Sequence, residues 1–288
     1  MCSALSFLAS TSVIDSHHHF WKYKAADFPW IGEDMEVLQH DHKVDEFEHD
    51  LEFSGIDQVI SVQARRTDRE NHFLIDQAGK SDDLVAAIVG WAPLDSPDLR
   101  VFLDQYVHEP LLKGIREIIE GTPTEQFLDN PDFDIGVQEL THRNLTFDLL
   151  ISEDQLPAAI AFADRHPNQR IVLNHCGKPT ISAGSPPNAW ARNIRELARR
   201  PHVYCKISGL ATQVTSGNWN TDLLRPYFDT VLKAFGPERL MYGSDWPVCK
   251  INTSYPVWLN TVDDLIISLS EDEKDAIRQG TAIDFYQI

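Results

Sequence analysis

Short β-branched and aliphatic segments alternate with longer amphipathic stretches along the whole chain, and few folds can accommodate that order. The starts of these segments lie roughly 25 to 45 residues apart, the length of one strand plus a crossover helix. Some, such as VAAIV at 85–89, are almost continuously apolar, as parallel strands are when helices cover both faces. Eight segments are predicted as strands, at residues 13–19, 58–64, 85–92, 112–118, 145–151, 170–175, 203–208 and 239–244.

Strict alternation of eight strands with helices is typical of an α/β protein with the (β/α)8, or TIM, barrel fold. Helices are predicted at residues 154–165, 190–200 and 221–235, and the last ends at the Gly-Pro pair 236–237. A doubly wound open sheet is the alternative, but no G-x-G-x-x-G follows the first strand and the sequence contains no P-loop. No Ser/Gly linker or charge block divides the chain, so residues 1–288 are expected to form one domain.

Two segments indicate a barrel that is distorted rather than regular. The segment 21–43, between the first strand and the first helix, is long and rich in aromatic side chains. In a barrel they form the first βα loop, on the face where active sites lie. A short tail at 270–288 is predicted to add a helix that packs across the barrel.

Charge and cysteine content exclude several classes of function. The 25 Lys and Arg against 44 Asp and Glu give a net charge of −19, which repels phosphate backbones and anionic lipids. We therefore expect no nucleic-acid partner and no membrane partner, and no apolar run is long enough for a transmembrane helix. The cysteines form no C-x-x-C pair, so zinc fingers and a disulfide framework are not expected. Cys2, Cys176, Cys205 and Cys249 are therefore predicted to be buried free thiols. Such thiols are typical of a reducing compartment, so the protein is predicted to be cytoplasmic.

The segment IDSHHHFW at 14–21 is the strongest local signal for chemistry. Side chains alternate along a strand, so Asp15, His17 and His19 are expected on one face and His18 on the other. If the shared face is the barrel interior, two imidazoles meet at its C-terminal mouth, an arrangement common in metal sites. A hydrogen-bonded polar cluster, or a chance run of histidines, is the structural alternative.

Two other strand ends carry candidate catalytic residues. The segment MYGSDWP at 241–247 places Asp245 at the barrel rim, where a carboxylate can act as a base, although it could also cap the next helix. The segment VLNHCGKP at 172–179 offers His175 as a metal ligand, a proton carrier or an oxyanion donor. A single histidine at a strand end can equally be structural.

Together these motifs resemble the amidohydrolase-2 branch of the amidohydrolase superfamily. The matching features are D-x-H-x-H-x-W on strand one, a histidine followed by K-P on strand six, C-K-x-S-G-L on strand seven and G-S-D-W-P on strand eight. Within the branch the chain is most similar to sugar lactonases that act on L-fuconolactone or L-rhamnonolactone. Supporting segments lie at 28–31, 62–64, 90–91, 114–116, 147–150, 205–210 and 243–249.

The resemblance implies an inward cluster of His17, His19 and His175 beside a catalytic Asp245. Relatives use these positions to hold a divalent cation that activates water, whereas some members of the branch hydrolyse lactones without a metal. The expected cofactor is therefore at most one divalent ion, zinc or manganese, held by those four residues. The lysine that binuclear relatives carboxylate has no counterpart, because Lys113 is at the wrong end of strand four, so a binuclear centre is not expected.

One position departs from the pattern of the branch. Relatives often read G-x-R-H after strand four, whereas this chain has GIRE at 114–117. Any contact made by that histidine is in doubt here, because Glu117 occupies its place.

The function implied by the resemblance is hydrolysis of a small-molecule sugar lactone to the aldonic acid. Asp245 would take a proton from water while the histidines polarise the carbonyl, directly or through a cation. A pyrone-dicarboxylate lactonase, a metal-dependent decarboxylase and an inactive sugar-binding barrel remain alternatives, and the sequence is compatible with a homo-oligomer.

Several other residues are candidates for binding the substrate. Lys206 on strand seven would donate to the oxyanion or to a hydroxyl, unless it pairs with a barrel acid such as Asp148. Strand alternation places Gln63 and Arg65 on one face, and Arg116 on strand four is a further polar candidate.

Aromatic residues of the loops complete the predicted pocket. Trp21, Trp30 and Trp246 fall on loops at the catalytic face, where flat rings suit the apolar face of a sugar. Ordinary packing is the alternative for each of them.

Overall fold

A computed structural model describes residues 12–52, 54–215 and 218–288, so Cys2 lies outside the described residues. Eight parallel strands form one sheet in the order β1 to β8. A bridge between His18 and Trp246, with the hydrogen bond from Asp245 N to His17 O at 2.8 Å, joins the last strand to the first. The predicted TIM barrel is confirmed. The strands are β1 Val13–His18, β2 Ile56–Val62, β3 Val85–Gly90, β4 Leu112–Ile118, β5 Thr146–Leu150, β6 Ile171–Leu173, β7 Val203–Ile207 and β8 Leu240–Tyr242.

Helices alternate with the strands and then continue into the tail. They are α1 Val44–Leu51, α2 Asp68–Ala78, α3 Leu99–Asp104, α4 Pro131–His142, α5 Leu156–Arg165, α6 Asn188–Leu197, α7 Thr221–Phe235, α8 Tyr255–Leu265, α9 Glu271–Asp275 and α10 Thr281–Tyr286. Helix α7 has the predicted bounds, because the Asn220 side chain accepts from Leu223 N at its start and Gly236 adopts φ 74° at its end. No described helix is long and apolar enough to cross a bilayer.

Two apolar layers explain why the strands read as continuous apolar runs. On β3, Ala87 and Val89 belong to a small core inside the barrel, whereas Ile88 belongs to the large core between sheet and helices. Helix α10 completes the inner core with Phe285 and Tyr286, so the tail packs against the barrel as predicted. The three described cysteines are buried free thiols.

The long first βα loop is a folded unit of its own. Trp21 and His42 pair their backbones in antiparallel fashion, with N-to-O distances of 2.8 and 2.9 Å. Between them, Phe28, Ile31 and Leu38 pack with Trp21 in a separate apolar cluster. The loop therefore presents its aromatic side chains from a fixed backbone.

A register irregularity in β1 corrects the prediction that Asp15 shares a face with His17 and His19. Asp15 pairs with Val59 and His18 with Ser61, so three steps along β1 match two along β2. Because the extra residue reverses the alternation, the Asp15 carboxylate faces outward and accepts from the Tyr255 hydroxyl at 3.0 Å.

Candidate active site

Three strand ends bring one carboxylate and three imidazoles together at the C-terminal mouth of the barrel. Oδ1 of Asp245 lies 3.4 Å from Nε2 of His19 and 3.8 Å from Nε2 of both His17 and His175. Nε2 of His17 lies 3.2 Å from Nε2 of His19. The four predicted catalytic residues thus lie in a single cluster, and all are buried.

Left-handed backbone turns place two of these side chains. Strands β6 and β8 end at Leu173 and Tyr242, earlier than predicted, and His175 and Asp245 follow two and three residues later with φ values of 51° and 60°. With these turns, Nε2 of His175 lies 3.8 Å from Oδ1 of Asp245. Gly209 makes the approach feasible, since a Cβ there would lie 2.8 Å from Nδ1 of His175 and 3.2 Å from Oδ2 of Asp245.

Hydrogen bonds behind the cluster orient the imidazoles. Nδ1 of His19 lies 2.8 Å from the Val62 carbonyl oxygen, to which it can only donate, so a neutral His19 ring presents the lone pair of Nε2 to the site. Nδ1 of His175 shares a hydrogen bond of 2.8 Å with Oγ of Ser208. Both rings are therefore held with Nε2 facing Asp245.

Burial keeps the three imidazoles neutral. It lowers the pKa of His17 well below its ordinary value, and the nearby Lys206 adds to that effect. Burial likewise lowers the pKa of His19, and it brings the pKa of His175 to about 3. For Asp245, burial alone would raise the pKa, but His175 and His19 together lower it below its ordinary value. At neutral pH the site therefore contains one carboxylate among neutral imidazoles.

A cavity of about 370 Å³ opens directly above this cluster. Six of the predicted site residues line it, together with residues that the sequence reasoning did not single out. Its walls are His19, Trp21, Trp30, Ala64, Arg116, Ile118, Glu120, Leu150, His175, Lys178, Asp245 and Val248.

Known proteins resemble this arrangement along nearly the whole chain. The family model described as amidohydrolase matches residues 14–288. The chain belongs to the amidohydrolase family. A Burkholderia multivorans protein named L-fucono-1,5-lactonase is 38% identical, covering 96% of each chain, and a Burkholderia ambifaria protein of the same name is 34% identical, covering 96% of this chain and 95% of its own. A crystal structure of an amidohydrolase from Burkholderia multivorans with bound zinc superposes with a TM-score of 0.89 at 38% identity, covering 96% of this chain and 99% of that chain.

The residues of this amidohydrolase fit the single divalent ion that the family often binds. Ligand atoms of His17, His175 and Asp245 all lie within 4.8 Å of one another, and His19 contacts two of the three. Neutral imidazole nitrogens and a carboxylate oxygen are the donors that zinc and manganese accept. Nδ1 of His17 has no hydrogen-bond partner among the described residues, so this ring is held by packing and not by a second polar contact.

Arg116 and Gln63 form one unit at the side of the amidohydrolase cluster. Nη1 of Arg116 lies 3.4 Å from Nε2 of His17, and Nη2 donates to the Gln63 backbone oxygen. Gln63 returns a hydrogen bond from Nε2 to the Arg116 backbone oxygen at 3.1 Å. Arg116 therefore lines the cavity, whereas Gln63 lies behind it and holds it in place.

Lys206 lies deeper in the barrel than predicted for a substrate contact. Its Nζ donates to Oδ2 of Asp148 and to the Ser16 backbone oxygen, both at 2.7 Å. The Tyr286 hydroxyl donates to the other carboxylate oxygen of Asp148 at 2.8 Å. Lys206 and Asp148 are fully buried, and the structure shows the ion pair that was the alternative for Lys206.

Trp246 and Arg65 also lie off the cavity, for local backbone reasons. The left-handed turn at Asp245 sends Trp246 outward, where it packs on Phe47 and donates from Nε1 to Asp50 at 2.6 Å. Because β2 ends at Val62, strand alternation no longer applies to Arg65, which lines a neighbouring trough and donates to Glu70 at 2.8 Å.

Lys178 and Glu120 are wall residues that the sequence reasoning missed. Nζ of Lys178 lies 2.5 Å from Oε2 of Glu120 at the cavity wall. The K-P pair after His175 was a signal for Lys178, whereas nothing in the sequence marks Glu120. Glu117, at the position where the resemblance led us to expect a histidine, is not among the wall residues and instead accepts from Arg66 at 2.5 Å.

Proposed function

We propose that this chain hydrolyses a sugar-acid lactone, of the L-fucono- or L-rhamnono-lactone class, to the free aldonic acid. The observation that carries the proposal is a carboxylate surrounded by three neutral imidazoles at the floor of a 370 Å³ cavity. The names of the two Burkholderia relatives support the same substrate class.

Asp245 is the residue that moves the proton. Its lowered pKa keeps it ionised at neutral pH, which is the form that accepts a proton from water as the oxygen of that water bonds to the lactone carbonyl carbon. When the ring C–O bond then breaks, Asp245 returns the proton to the departing ring oxygen. The carboxylate is thus regenerated in each turnover.

The developing negative charge on the carbonyl oxygen needs a positive partner. Neutral His19 cannot supply one, because its proton on Nδ1 is already donated to Val62. Arg116 remains a cation although burial lowers its pKa to about 10, and its guanidinium lies in the cavity wall. A divalent ion held by His17, His175 and Asp245 would add Lewis-acid polarisation of the carbonyl and acidify a water molecule.

The walls suit a polar ring that has one apolar face. Trp21 and Trp30 supply flat surfaces, and Trp30 remains 44% exposed at the mouth. Lys178 and Glu120 supply a donor and an acceptor for hydroxyl groups.

A lactone panel followed with a pH indicator tests the proposal, with metal-replete and chelated samples assayed in parallel and metal content measured on both. We expect L-fucono- and L-rhamnono-lactone to be opened and 2-pyrone-4,6-dicarboxylate to be inert. A dicarboxylate would need several converging arginines, and Arg116 is the only arginine among the described wall residues. Consumption of the diacid alone, or binding of sugar lactones without turnover, would contradict the proposal.

A further inference from the structure

A second cluster of metal-ligand side chains lies outside the active-site cavity. His40 and His42 end the first βα loop and Glu46 lies in the first turn of α1, and one ligand atom from each lies within 4.8 Å of the others. We propose that these three residues bind a single divalent transition-metal ion of the zinc type. The site is separate from the proposed catalytic cluster and does not depend on the lactonase activity.

The distances are close to those that a zinc ion requires. Nδ1 of His42 lies 3.0 Å from Oε2 of Glu46, and Nε2 of His40 lies 3.6 Å from Oε1 of the same carboxylate. Zinc binds nitrogen and oxygen at about 2.0 to 2.2 Å, so tetrahedral donors lie about 3.3 to 3.6 Å apart. Small side-chain rotations of exposed His40 and half-buried Glu46 would bring the three donors around one ion.

The state of His42 is the second observation that points to a ligand. The side chain is fully buried, yet neither ring nitrogen makes a hydrogen bond of ordinary geometry with a described residue, although Glu46 and the Val37 backbone are close. A buried polar atom without a partner carries a free-energy cost that a bound ion would remove. Burial also lowers the pKa of His42 to about 4, so the ring is neutral at neutral pH and one of its nitrogens has a lone pair free to coordinate an ion.

Lys250 is the group that competes for Glu46, and its arrangement leaves room for an ion. Its Nζ donates to Oε1 of Glu46 and to Oδ2 of Asp50, both at 2.9 Å. Oε2 of Glu46 remains directed at His42. If the carboxylate turns toward a metal, Lys250 keeps Asp50 as its counter-ion.

Occupancy of this site would reach the active-site cavity through Trp21. The Trp21 indole donates to the His40 backbone oxygen at 3.0 Å, and the Trp21 backbone pairs with that of His42. Trp21 forms part of the cavity wall. An ion that ties the loop to α1 would therefore hold this wall in place, and it would raise the thermal stability of the loop.

Metal stoichiometry of the full chain tests the proposal. The protein is stripped with a chelator, dialysed against micromolar zinc and analysed for bound metal in three forms: the parent, His40→Ala and His49→Ala. The His40 side chain is 53% exposed, so its removal leaves the fold intact. His49 is the matched control, an exposed histidine 3.6 Å from Glu52 that belongs to no such cluster among the described residues.

We expect His40→Ala to bind one equivalent of zinc fewer than both the parent and His49→Ala, with unchanged circular dichroism. Glu46→Gln should weaken binding at this site at least tenfold, and zinc should raise the Tm of the parent more than that of His40→Ala. Because the catalytic cluster is intact in every form, any ion that it binds cancels in the comparison. Equal zinc content in the three proteins would overturn the proposal.

Discussion

Two groups of buried charged side chains lie inside the barrel: a deeper one around Lys206 and Asp148, which we call the lower end, and one at the mouth, which we call the upper end. They differ in how fully their charged side chains are paired among the described residues. At the lower end, Lys206 and Asp148 form an ion pair, and the side chains of Tyr286 and Asn174 also donate to the Asp148 carboxylate. At the upper end, Nδ1 of His17 and Nε of Arg116 have no partner among the described residues. Paired buried charge is satisfied within the fold, whereas His19, His175 and Asp245 line the cavity and can offer imidazole and carboxylate atoms to a substrate or an ion.

The largest effect expected at the upper end is a fall in the free energy of unfolding at acid pH. Burial lowers the pKa values of His17, His18, His19 and His175 below the unfolded value near 6.5, so below that pH the unfolded chain binds more protons than the folded one. The free energy of unfolding should therefore fall as pH drops below about 6.5, by up to about 1.4 kcal/mol per pH unit for each such histidine. Urea titrations of chelated protein at pH 7, 6 and 5 measure this slope.

A constant free energy of unfolding between pH 7 and 5 would contradict the account of the upper end. It would mean that the folded and unfolded chains bind the same number of protons in this range, whereas four neutral buried imidazoles outnumber the single carboxyl of Asp15, whose pKa burial raises to about 6.

The next largest effect should be the loss of unfolding free energy when Lys206, the paired lysine at the lower end, is replaced. Lys206→Met leaves the Asp148 carboxylate buried without its cation and should cost about 3 to 5 kcal/mol of unfolding free energy. The double variant Lys206→Met/Asp148→Asn should recover part of that loss, because the amide oxygen still accepts from Tyr286. A single variant within about 1 kcal/mol of the parent would break the comparison.

A smaller effect is expected at the mouth of the cavity. Lys178→Met removes a donor from the cavity wall and should raise KM about tenfold with little change in stability. Lys80→Met is the control, since Lys80 makes an equally short ion pair with Asp76 on the surface. If the two variants had equal KM values, Lys178 would not contact the substrate.

The smallest effect concerns the hydroxyl that completes the lower end. Tyr286→Phe removes the hydrogen bond to Asp148 and should cost about 1 to 2 kcal/mol of unfolding free energy without changing kcat. Tyr204→Phe, which loses an exposed bond of 3.3 Å to Asp284, should cost less. If Tyr204→Phe lost more unfolding free energy than Tyr286→Phe, burial would not determine how much each hydrogen bond stabilises the fold.

Sequence patterns predicted the barrel and the four clustered residues because each is encoded locally. Strand periodicity and motifs at strand ends need no knowledge of distant contacts. His175 and Asp245 were found in this way, although the left-handed turns that aim them were not foreseen.

The predictions for Asp15 and Trp246 were wrong because the alternation of side-chain direction along the strand is interrupted near both residues. The irregularity in β1 turns Asp15 outward. The turn at Asp245 directs Trp246 away from the cavity, so that it packs on Phe47. Glu120 contributes to the wall only through its tertiary position beside Lys178, which no local pattern reveals.

Replacement of the carboxylate at the upper end tests the central claim most directly. Asp245→Asn keeps the side-chain volume and tolerates the left-handed backbone, but cannot take a proton from water. With L-fucono-1,5-lactone as substrate, we predict a fall in kcat of about a thousandfold or more, with unfolding free energy within about 2 kcal/mol of the parent. A folded Asp245→Asn variant that keeps more than a tenth of the parent kcat would contradict the account.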